Sequence, residues 1–234
     1  MRLVAVLLGL MGCVPIAVIG QQSFPELVER AFGSDQQLVN GIQFSHNYGL
    51  IDGNPYLLDG NFRQGTIRIN ERVYYGINIR YNLYSQRLEV EYRNVDGLMN
   101  QFMAVPEQIP QFFLNGSEFR RMQYGGIPPV YYQVIPLEGD TCYVSRIRKL
   151  NSSTSSGSGY KFTPPEMACI FKVNGQVFVF HNRKSLITSF PEKSRKQVRM
   201  LLKQEKISFR DETIAEMEAF ALSLIRLYRK EVLP

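Results

Sequence analysis

The segment from Arg72 to Arg93, RVYYGINIRYNLYSQRLEVEYR, constrains the fold more than any other part of this chain. From Val73 to Leu83 every odd position is apolar, which is the pattern of a half-buried β-strand. After Ser85-Gln86 the apolar residues move to positions 88, 90 and 92, as a returning antiparallel strand requires. The segment therefore predicts a β-hairpin whose odd residues from Val73 to Leu83 face the core.

A two-residue loop at Ser85-Gln86 sets the predicted register of this hairpin. The expected pairs are Leu83 with Leu88, Tyr81 with Val90, Ile79 with Tyr92 and, on the outer face, Arg80 with Glu91. Ser-Gln lacks the glycine that a tight type I′ turn prefers, so a wider turn with the same register is the alternative. A preceding strand over residues 65–69 is expected to place Ile69 opposite Val73 and Ile67 opposite Tyr75.

Further hairpins are predicted on the C-terminal side of this segment. Asn115-Gly116, Glu138-Gly139-Asp140 and Asn174-Gly175 are expected to join residues 111–114 to 118–122, 130–137 to 141–150 and 170–173 to 176–180. In the second of these, Tyr131, Ile135, Tyr143 and Ile147 are expected to share one face. Because no helix of crossover length separates the strands, we predict an antiparallel meander sheet or a partly open barrel.

The apolar period changes from two to about 3.6 after His181, which predicts helices. Ser189-Phe190-Pro191-Glu192 has the spacing of a capping box, and Val198, Leu201 and Leu202 follow on one side of the next helix. A final helix is expected to begin at Ser208 or Asp211, with an inner stripe of Ile214, Met217, Ala221, Leu224 and Tyr228. The prediction is thus mainly β with C-terminal helices (α+β): a β-rich domain over residues 21–181, capped by two to three helices over residues 182–234.

Residues 1–20, MRLVAVLLGLMGCVPIAVIG, have the composition of a secretory signal peptide, with Arg2 before an apolar run and small residues before Gln21. The alternative is a lipobox at Leu10-Met11-Gly12-Cys13, with Cys13 as the acylated first residue. Both interpretations predict export to the periplasm or the cell surface. A short helix is expected from Ser23 to Gly33, and no later apolar run reaches the ~20 residues that a membrane helix needs.

The formal net charge of +6 favours anionic partners such as envelope lipids and glycans, and nucleic acid is not expected outside the cell. His46 and His181 lie far apart, and the chain has no HExxH, CxxC, G-x-S-x-G or P-loop motif. We therefore expect no metal, no cofactor and no catalytic residues. The alternative is a secreted hydrolase whose site is assembled only in the fold.

Cys142 and Cys169 are the cysteines that remain after cleavage at Gly20. They flank a Ser/Gly-rich stretch at residues 151–159, so a hairpin centred there brings them close together. A disulfide fits an oxidising compartment, and two buried free thiols are the alternative, since Pro164-Pro165 can interrupt the strand pairing.

Two surfaces are candidates for binding. The outward face of the central hairpin carries Tyr74, Arg80, Tyr84 and Arg87, which can stack on a glycan ring or anchor a protein partner unless a second layer covers them. The segment from Arg183 to Arg210 holds nine Lys or Arg. Lys196, Arg199, Lys203 and Lys206 follow helical spacing there and can lie on an anionic surface; a solvated helix face is the alternative.

The C-terminal third is IFKVNGQVFVF at residues 170–180, then HNRKSLI and SFPEKSRKQVRMLLKQEKISFRDE. It resembles the ending of a family of uncharacterised exported proteins common in Bacteroidetes-type bacteria. FFLNGSEFRRM and VYYQVIPLEGDTCYVSRIRKL are similar to that family's middle strands. The resemblance implies export and a β-rich fold, and it implies no activity and no site residues. The leading hypothesis is a non-enzymatic envelope protein that binds a protein partner or an anionic envelope polymer.

Overall fold

The computed structural model describes residues 48, 51–69, 71–93, 99–124, 127–154, 159–173, 175–210 and 212–232. In these residues the strands are β1 (Arg63–Ile69), β2 (Arg72–Asn82), β3 (Arg87–Arg93), β4 (Met99–Met103), β5 (Gln111–Leu114), β6 (Ser117–Tyr124), β7 (Ile127–Leu137), β8 (Asp140–Ile147), β9 (Leu150–Ser152), β10 (Tyr160–Phe162), β11 (Glu166–Val173) and β12 (Gln176–Phe180). The helices are α1 (Arg183–Ser189), α2 (Arg195–Gln204) and α3 (Ile214–Val232).

Ten of the strands form one open antiparallel sheet in the order β12-β11-β8-β7-β6-β5-β1-β2-β3-β4, and β9 pairs with β10 separately. Short hairpin connections favour this arrangement because each strand pairs with its chain neighbour wherever the loop is tight. The predicted mainly β fold with a meander sheet and C-terminal helices is confirmed.

One face of the sheet carries a buried row across the strands that is apolar except at one glutamine. Its directly paired members are Ile67, Phe112, Phe119, Gln133, Val144, Cys169 and Phe180. Around β8, β11 and β12 this inner face packs against buried residues of α2 and α3, including Val198, Leu202 and Leu224. Each fully buried aliphatic or aromatic side chain contributes about 1.5–3 kcal/mol, so this contact holds the helices on the sheet.

The sheet curves strongly between β2 and β7. In a flat sheet these strands, four positions apart in the order, would lie about 19 Å from each other. The rings of Tyr81 on β2 and Tyr131 on β7 are nevertheless 5.5 Å apart between centroids, and both contact Phe112. The part of the sheet from β7 to β4 in the strand order therefore encloses its own aromatic core.

A buried polar chain lies where this aromatic core meets the helix-covered core. Arg146 donates from Nη1 to Gln133 Oε1 at 2.8 Å, and Gln133 donates from Nε2 to Glu218 Oε1 on α3 at 3.1 Å. Ser117 on β6 donates to the same Glu218 oxygen at 2.9 Å. Because buried polar groups are costly without partners, these bonds fix the position of α3 over the sheet.

The predicted register of the β2-β3 hairpin is wrong by two residues. The observed pairs are Ile79 with Val90, Arg80 with Glu89, Tyr81 with Leu88 and Asn82 with Arg87. The turn is wider than expected and spans residues 83–86, with Gln86 at φ 56° and its side chain donating to the carbonyl of Leu83. Because the shift is even, every paired residue keeps its predicted face, but the expected Arg80-Glu91 pair is replaced by Arg80-Glu89.

The predicted alternation of inward apolar and outward residues along β2 is not observed before Gly76. Gly65 pairs with Ile77 but Thr66 pairs with Tyr75, which leaves Gly76 without a partner in a β-bulge, at φ 66°. The bulge reverses the faces, so Tyr74 lies opposite buried Ile67 and packs on the core. Val73 and Tyr75, expected in the core, are 41% and 77% exposed, and the pairing predicted for the β1-β2 hairpin is wrong by one residue.

The other hairpins form at the predicted turns. Asn115 and Gly116 have φ 52° and 79°, the positive values that a type I′ turn requires. The expected common face of β7 and β8 is wrong, because Val134 pairs with Tyr143. Tyr131 and Ile135 therefore face the core, whereas Tyr143 and Ile147 pack on the opposite side of the sheet.

The capping box predicted at Ser189 and Glu192 does not form. Ser189 Oγ donates to the carbonyl of Leu186 and lies at the end of α1, and α2 begins at Arg195 after a 3₁₀ turn. A capping box forms at Asn182 and Ser185 instead, where it starts α1.

The final helix begins later than predicted, at Ile214, where Thr213 and Glu216 exchange side-chain to backbone hydrogen bonds. Its predicted inner stripe is buried. None of the helices in the described ranges is long and apolar enough to cross a bilayer. The predicted signal peptide, Cys13, the helix at residues 23–33 and His46 lie outside the described residues.

Candidate functional site

A cleft of about 810 Å³ opens beside α1, between residues 163–168 and the loop at residues 208–210. Its apolar lining includes Ile147 at the end of β8, Pro165 just before β11, Met167 in β11, and Phe209. Met167 and Phe209 are buried side chains of the core, so this part of the lining is held rigidly. The cleft therefore offers a preformed concave surface, which is typical of small-molecule sites.

The charged residues that line the cleft are mainly basic. Arg183, Lys184 and Arg210 line it and are exposed, and none of the ion pairs between described residues involves them. Glu166 is the only carboxylate that the described residues place in the lining, and it forms an ion pair with Lys149 at 2.8 Å. The described lining therefore carries a net positive charge.

The loop that bears Arg210 is held by a carboxylate of the chain itself. Glu212 accepts hydrogen bonds from the backbone N–H groups of Ser208, of Phe209 at 2.9 Å and of Arg210 at 2.8 Å. Partial burial raises the pKa of Glu212, but hydrogen bonds from Ser208 and Phe209 outweigh it, so the pKa lies below the ordinary glutamate value. This ring of donors around one carboxylate keeps the cleft wall in a single conformation.

Replacing Glu212 with alanine is expected to lower the free energy of unfolding by about 1–2 kcal/mol, because the bonds to a charged acceptor are lost. A depressed folded-state pKa stabilises the protein above the ordinary value of about 4.3, and this contribution disappears as pH falls through the folded-state pKa. Urea unfolding at neutral pH and at about pH 3 measures the difference between wild type and variant, which should shrink at the acidic value. Glu71→Ala, at an exposed site in the turn between β1 and β2, is the control, and a pH-independent difference for the Glu212 variant would contradict the assignment.

The predicted surface on the central hairpin is divided by the fold. Tyr74 is half-buried against the core, whereas Arg87 is exposed. Tyr84 is 40% exposed, and its ring packs against Tyr48 and Phe162. The four residues therefore do not form one continuous binding face.

Arg80 is covered by the segment before β1. Its guanidinium lies 4.2 Å from the ring centroid of Tyr56 and 4.4 Å from that of Phe62. It also forms an ion pair with Glu89 at 2.6 Å, and Asn82 donates to the second carboxylate oxygen at 3.2 Å. Glu89 is 1% exposed, so this cluster is part of the structural interior.

The basic residues predicted on α2 are all exposed. Lys196, Arg199 and Lys203 are exposed along the helix, and Lys206 is exposed just after its end. On the opposite side of α2, Val198 and Leu202 are buried in the core. No ion pair recorded among the described residues neutralises any of the four.

Cys142 and Cys169 are free, buried thiols on the neighbouring strands β8 and β11. The predicted hairpin does bring them together, but Cys142 lies opposite Phe171 and Cys169 opposite Val144. Such diagonal neighbours are about 7–8 Å apart, beyond the usual Cα separation in a disulfide. Burial raises the pKa of both thiols, that of Cys169 to about 12, so neither is a reactive thiolate at neutral pH.

His181, which the hydrolase alternative requires beside carboxylates, lines the cleft. The carboxylate that shares this lining, Glu166, is held by Lys149. Within the described part of the chain no group of three or more His, Cys, Asp or Glu could hold a metal ion. The described residues therefore assemble no metal centre for a hydrolase.

The cleft draws its lining from four separate parts of the chain, around residues 145–147, 163–168, 181–184 and 208–210. The sequence signal for it is the positive charge of the segment from Arg183 to Arg210, although helical spacing points only to Lys196, Arg199, Lys203 and Lys206. Comparison with protein-family models, with curated proteins and with solved structures finds no match to this chain. The resemblance of the C-terminal third to a family of exported proteins stays a prediction.

Proposed function

We propose that this is an exported, non-enzymatic protein of the cell envelope that binds an anionic envelope polymer through the basic face of α2. We define the α2 basic face as Lys196, Arg199, Lys203 and Lys206. The observation that carries the proposal is the exposure of all four cations without an ion pair among the described residues. The composition of residues 1–20, with either a free mature end near Gln21 or an acylated Cys13, supports export.

The spacing of these cations destabilises α2 through charge repulsion, and a bound polyanion would remove this repulsion. Lys196 and Arg199 are three residues apart, and Arg199 and Lys203 are four apart, so their charges repel across adjacent turns. Such like-charge pairs destabilise a helix by about 0.2–0.5 kcal/mol each. A row of anionic groups along the helix turns this repulsion into attraction, which is the electrostatic complementarity that polymer binding uses.

A polymer fits the α2 basic face better than insertion into a bilayer does. The buried side of α2 is occupied by the core, so Val198 and Leu202 are not free to enter lipid. Met200, 63% exposed, is the large apolar residue that α2 itself presents to solvent among the described residues. Interfacial helices need a broad apolar face, so binding here depends on charge.

The test is the affinity for dextran sulfate, an anionic glycan, measured by isothermal titration calorimetry at low and high salt. A basic residue near an anionic surface contributes about 1 kcal/mol, so Lys196→Gln with Arg199→Gln is expected to weaken binding about 30-fold. The expected affinity of the wild-type protein falls as salt is added, because the contacts are exposed.

Arg226→Gln with Lys230→Gln is the matched control, since both residues are exposed on α3 and the change in net charge is the same. The control is expected to change the affinity by about twofold at most. An equal loss in both variants, or binding to phosphatidylglycerol vesicles without binding to dextran sulfate, would overturn the proposal.

A further inference from the structure

We propose that the cleft beside α1 is a second binding site, separate from the α2 basic face, and that it binds a small anionic amphiphile, with one phosphate or carboxylate head on a short apolar body. The proposal goes beyond polymer binding, since it concerns different residues and a different class of ligand. It is carried by the combination of a net positive charge and an apolar lining in a cleft of about 810 Å³.

The basic residues of the lining are the reason for proposing an anionic head group. Arg183 and Lys184 come from the start of α1 and Arg210 from the facing loop, so cations from two segments border one opening. Arg183 donates from Nη2 to the carbonyl of Leu202 at 3.3 Å, which orients the guanidinium without neutralising it. Since Glu166 is engaged by Lys149, an incoming anion meets no uncompensated carboxylate in the described lining.

The apolar lining is the reason for proposing an apolar body on the ligand. Exposed Pro164 and half-buried Ile147 supply apolar surface that a ligand can reach, whereas Met167 and Phe209, which also border the cleft, are almost fully buried. A head group alone would need only the cations. Each methylene buried on the apolar surface adds about 0.8 kcal/mol, so an alkyl body is the part that this lining favours.

The site is held in place before any ligand binds. The Asn182-Ser185 capping box fixes the beginning of α1, where Arg183 and Lys184 lie. Glu212 fixes the loop that carries Arg210 through three backbone N–H groups. A preorganised site loses less conformational entropy on binding, so this rigidity favours ligand affinity. The volume also lies within the range of about 300–1,000 Å³ that is usual for small-molecule sites.

The experiment is a calorimetric titration of the full chain with dodecyl phosphate below its micelle concentration. Inorganic phosphate tests the head alone, and dodecyl maltoside tests the apolar body without charge. Dodecyl phosphate is expected to bind at least about tenfold more tightly than either. Equal binding of inorganic phosphate would contradict the apolar subsite, and equal binding of dodecyl maltoside would contradict the anionic one.

Lys184→Gln with Arg210→Gln locates the site, because both side chains are exposed and make none of the ion pairs found in the described residues. This variant is expected to lose at least about tenfold in affinity for dodecyl phosphate and to keep its affinity for dextran sulfate. Lys196→Gln with Arg199→Gln is expected to do the reverse, so the failure of one proposal is distinguishable from the failure of the other. Unchanged affinity for dodecyl phosphate in the cleft variant would overturn the assignment.

Discussion

Replacing Arg80 with methionine is expected to lower the free energy of unfolding by about 3–5 kcal/mol, because the change leaves a buried carboxylate without its counter-charge. Glu89 is 1% exposed and accepts from Arg80 Nε at 2.6 Å. Methionine keeps an apolar chain between Tyr56 and Phe62, so the lost interactions are the ion pair, the cation–π contacts and the hydrogen bond from Nη1 to the Gly60 carbonyl. Urea unfolding followed by circular dichroism measures the loss, since the chain has no tryptophan.

The double variant Arg80→Met with Glu89→Leu tests whether the unpaired charge of Glu89 causes the loss of stability. If the cost comes from an orphaned charge, removing that charge as well should restore most of the lost stability. Lys149→Met breaks the exposed pair with Glu166 and is the matched control, with an expected cost below about 1 kcal/mol. A loss of similar size for Arg80→Met and Lys149→Met would show that Glu89 does not depend on its partner.

The hairpins were predictable because their signals are local. Asn115-Gly116 supplies two residues that tolerate positive φ between alternating strands, and the predicted turn forms there. The turn between β2 and β3 lacks such a pair. Its width depends on Gln86, whose side chain donates to the carbonyls of Leu83 and Arg146, and Arg146 lies 60 residues away in sequence. A register that depends on a distant contact cannot be read from the turn itself.

The reversal of faces along β2 was detectable in part. A glycine inside a strand often marks a bulge, and Gly76 is such a glycine. The sequence alone therefore does not establish that Val73 and Tyr75 lie on the same face as the odd residues after Gly76. The direction of the shift depends on β1, because Gly65 and Thr66 pair on either side of the bulge. Tyr74 therefore packs on the core although the sequence pattern places it outside.

The candidate sites also differ in whether one local element or the tertiary packing determines them. The α2 basic face follows from the helical period of Lys196, Arg199 and Lys203, which one element determines. The cover over Arg80 comes from Tyr56 and Phe62, in a segment rich in turn residues that carries no strand or helix pattern. The cleft is still harder to predict from the sequence. Its basic and apolar residues come from four segments, which only the packing of α1 and the following loops brings together.

Replacing Gly65 with alanine is expected to lower the free energy of unfolding by about 3 kcal/mol, because the added Cβ has no space. It would lie 2.5 Å from the carbonyl oxygen of Phe113 and 2.5 Å from Cδ1 of Ile79. The Ile79 side chain has other rotamers, but the Phe113 carbonyl belongs to β5, which pairs with β1 at this position. Relief therefore requires the two strands to move apart in the middle of the sheet.

Gly76→Ala is the matched control, since it tests backbone conformation without a clash. At Gly76 φ is 66° and no atom lies within 4 Å of an added Cβ, so the expected cost is the left-handed backbone alone, about 1–2 kcal/mol. Gly76 is the unpaired residue of the bulge and Gly65 pairs beside it, so the same urea titration ranks two changes at one place in the sheet. A smaller loss at Gly65 than at Gly76 would mean that β1 and β5 are not packed as closely as their pairing requires.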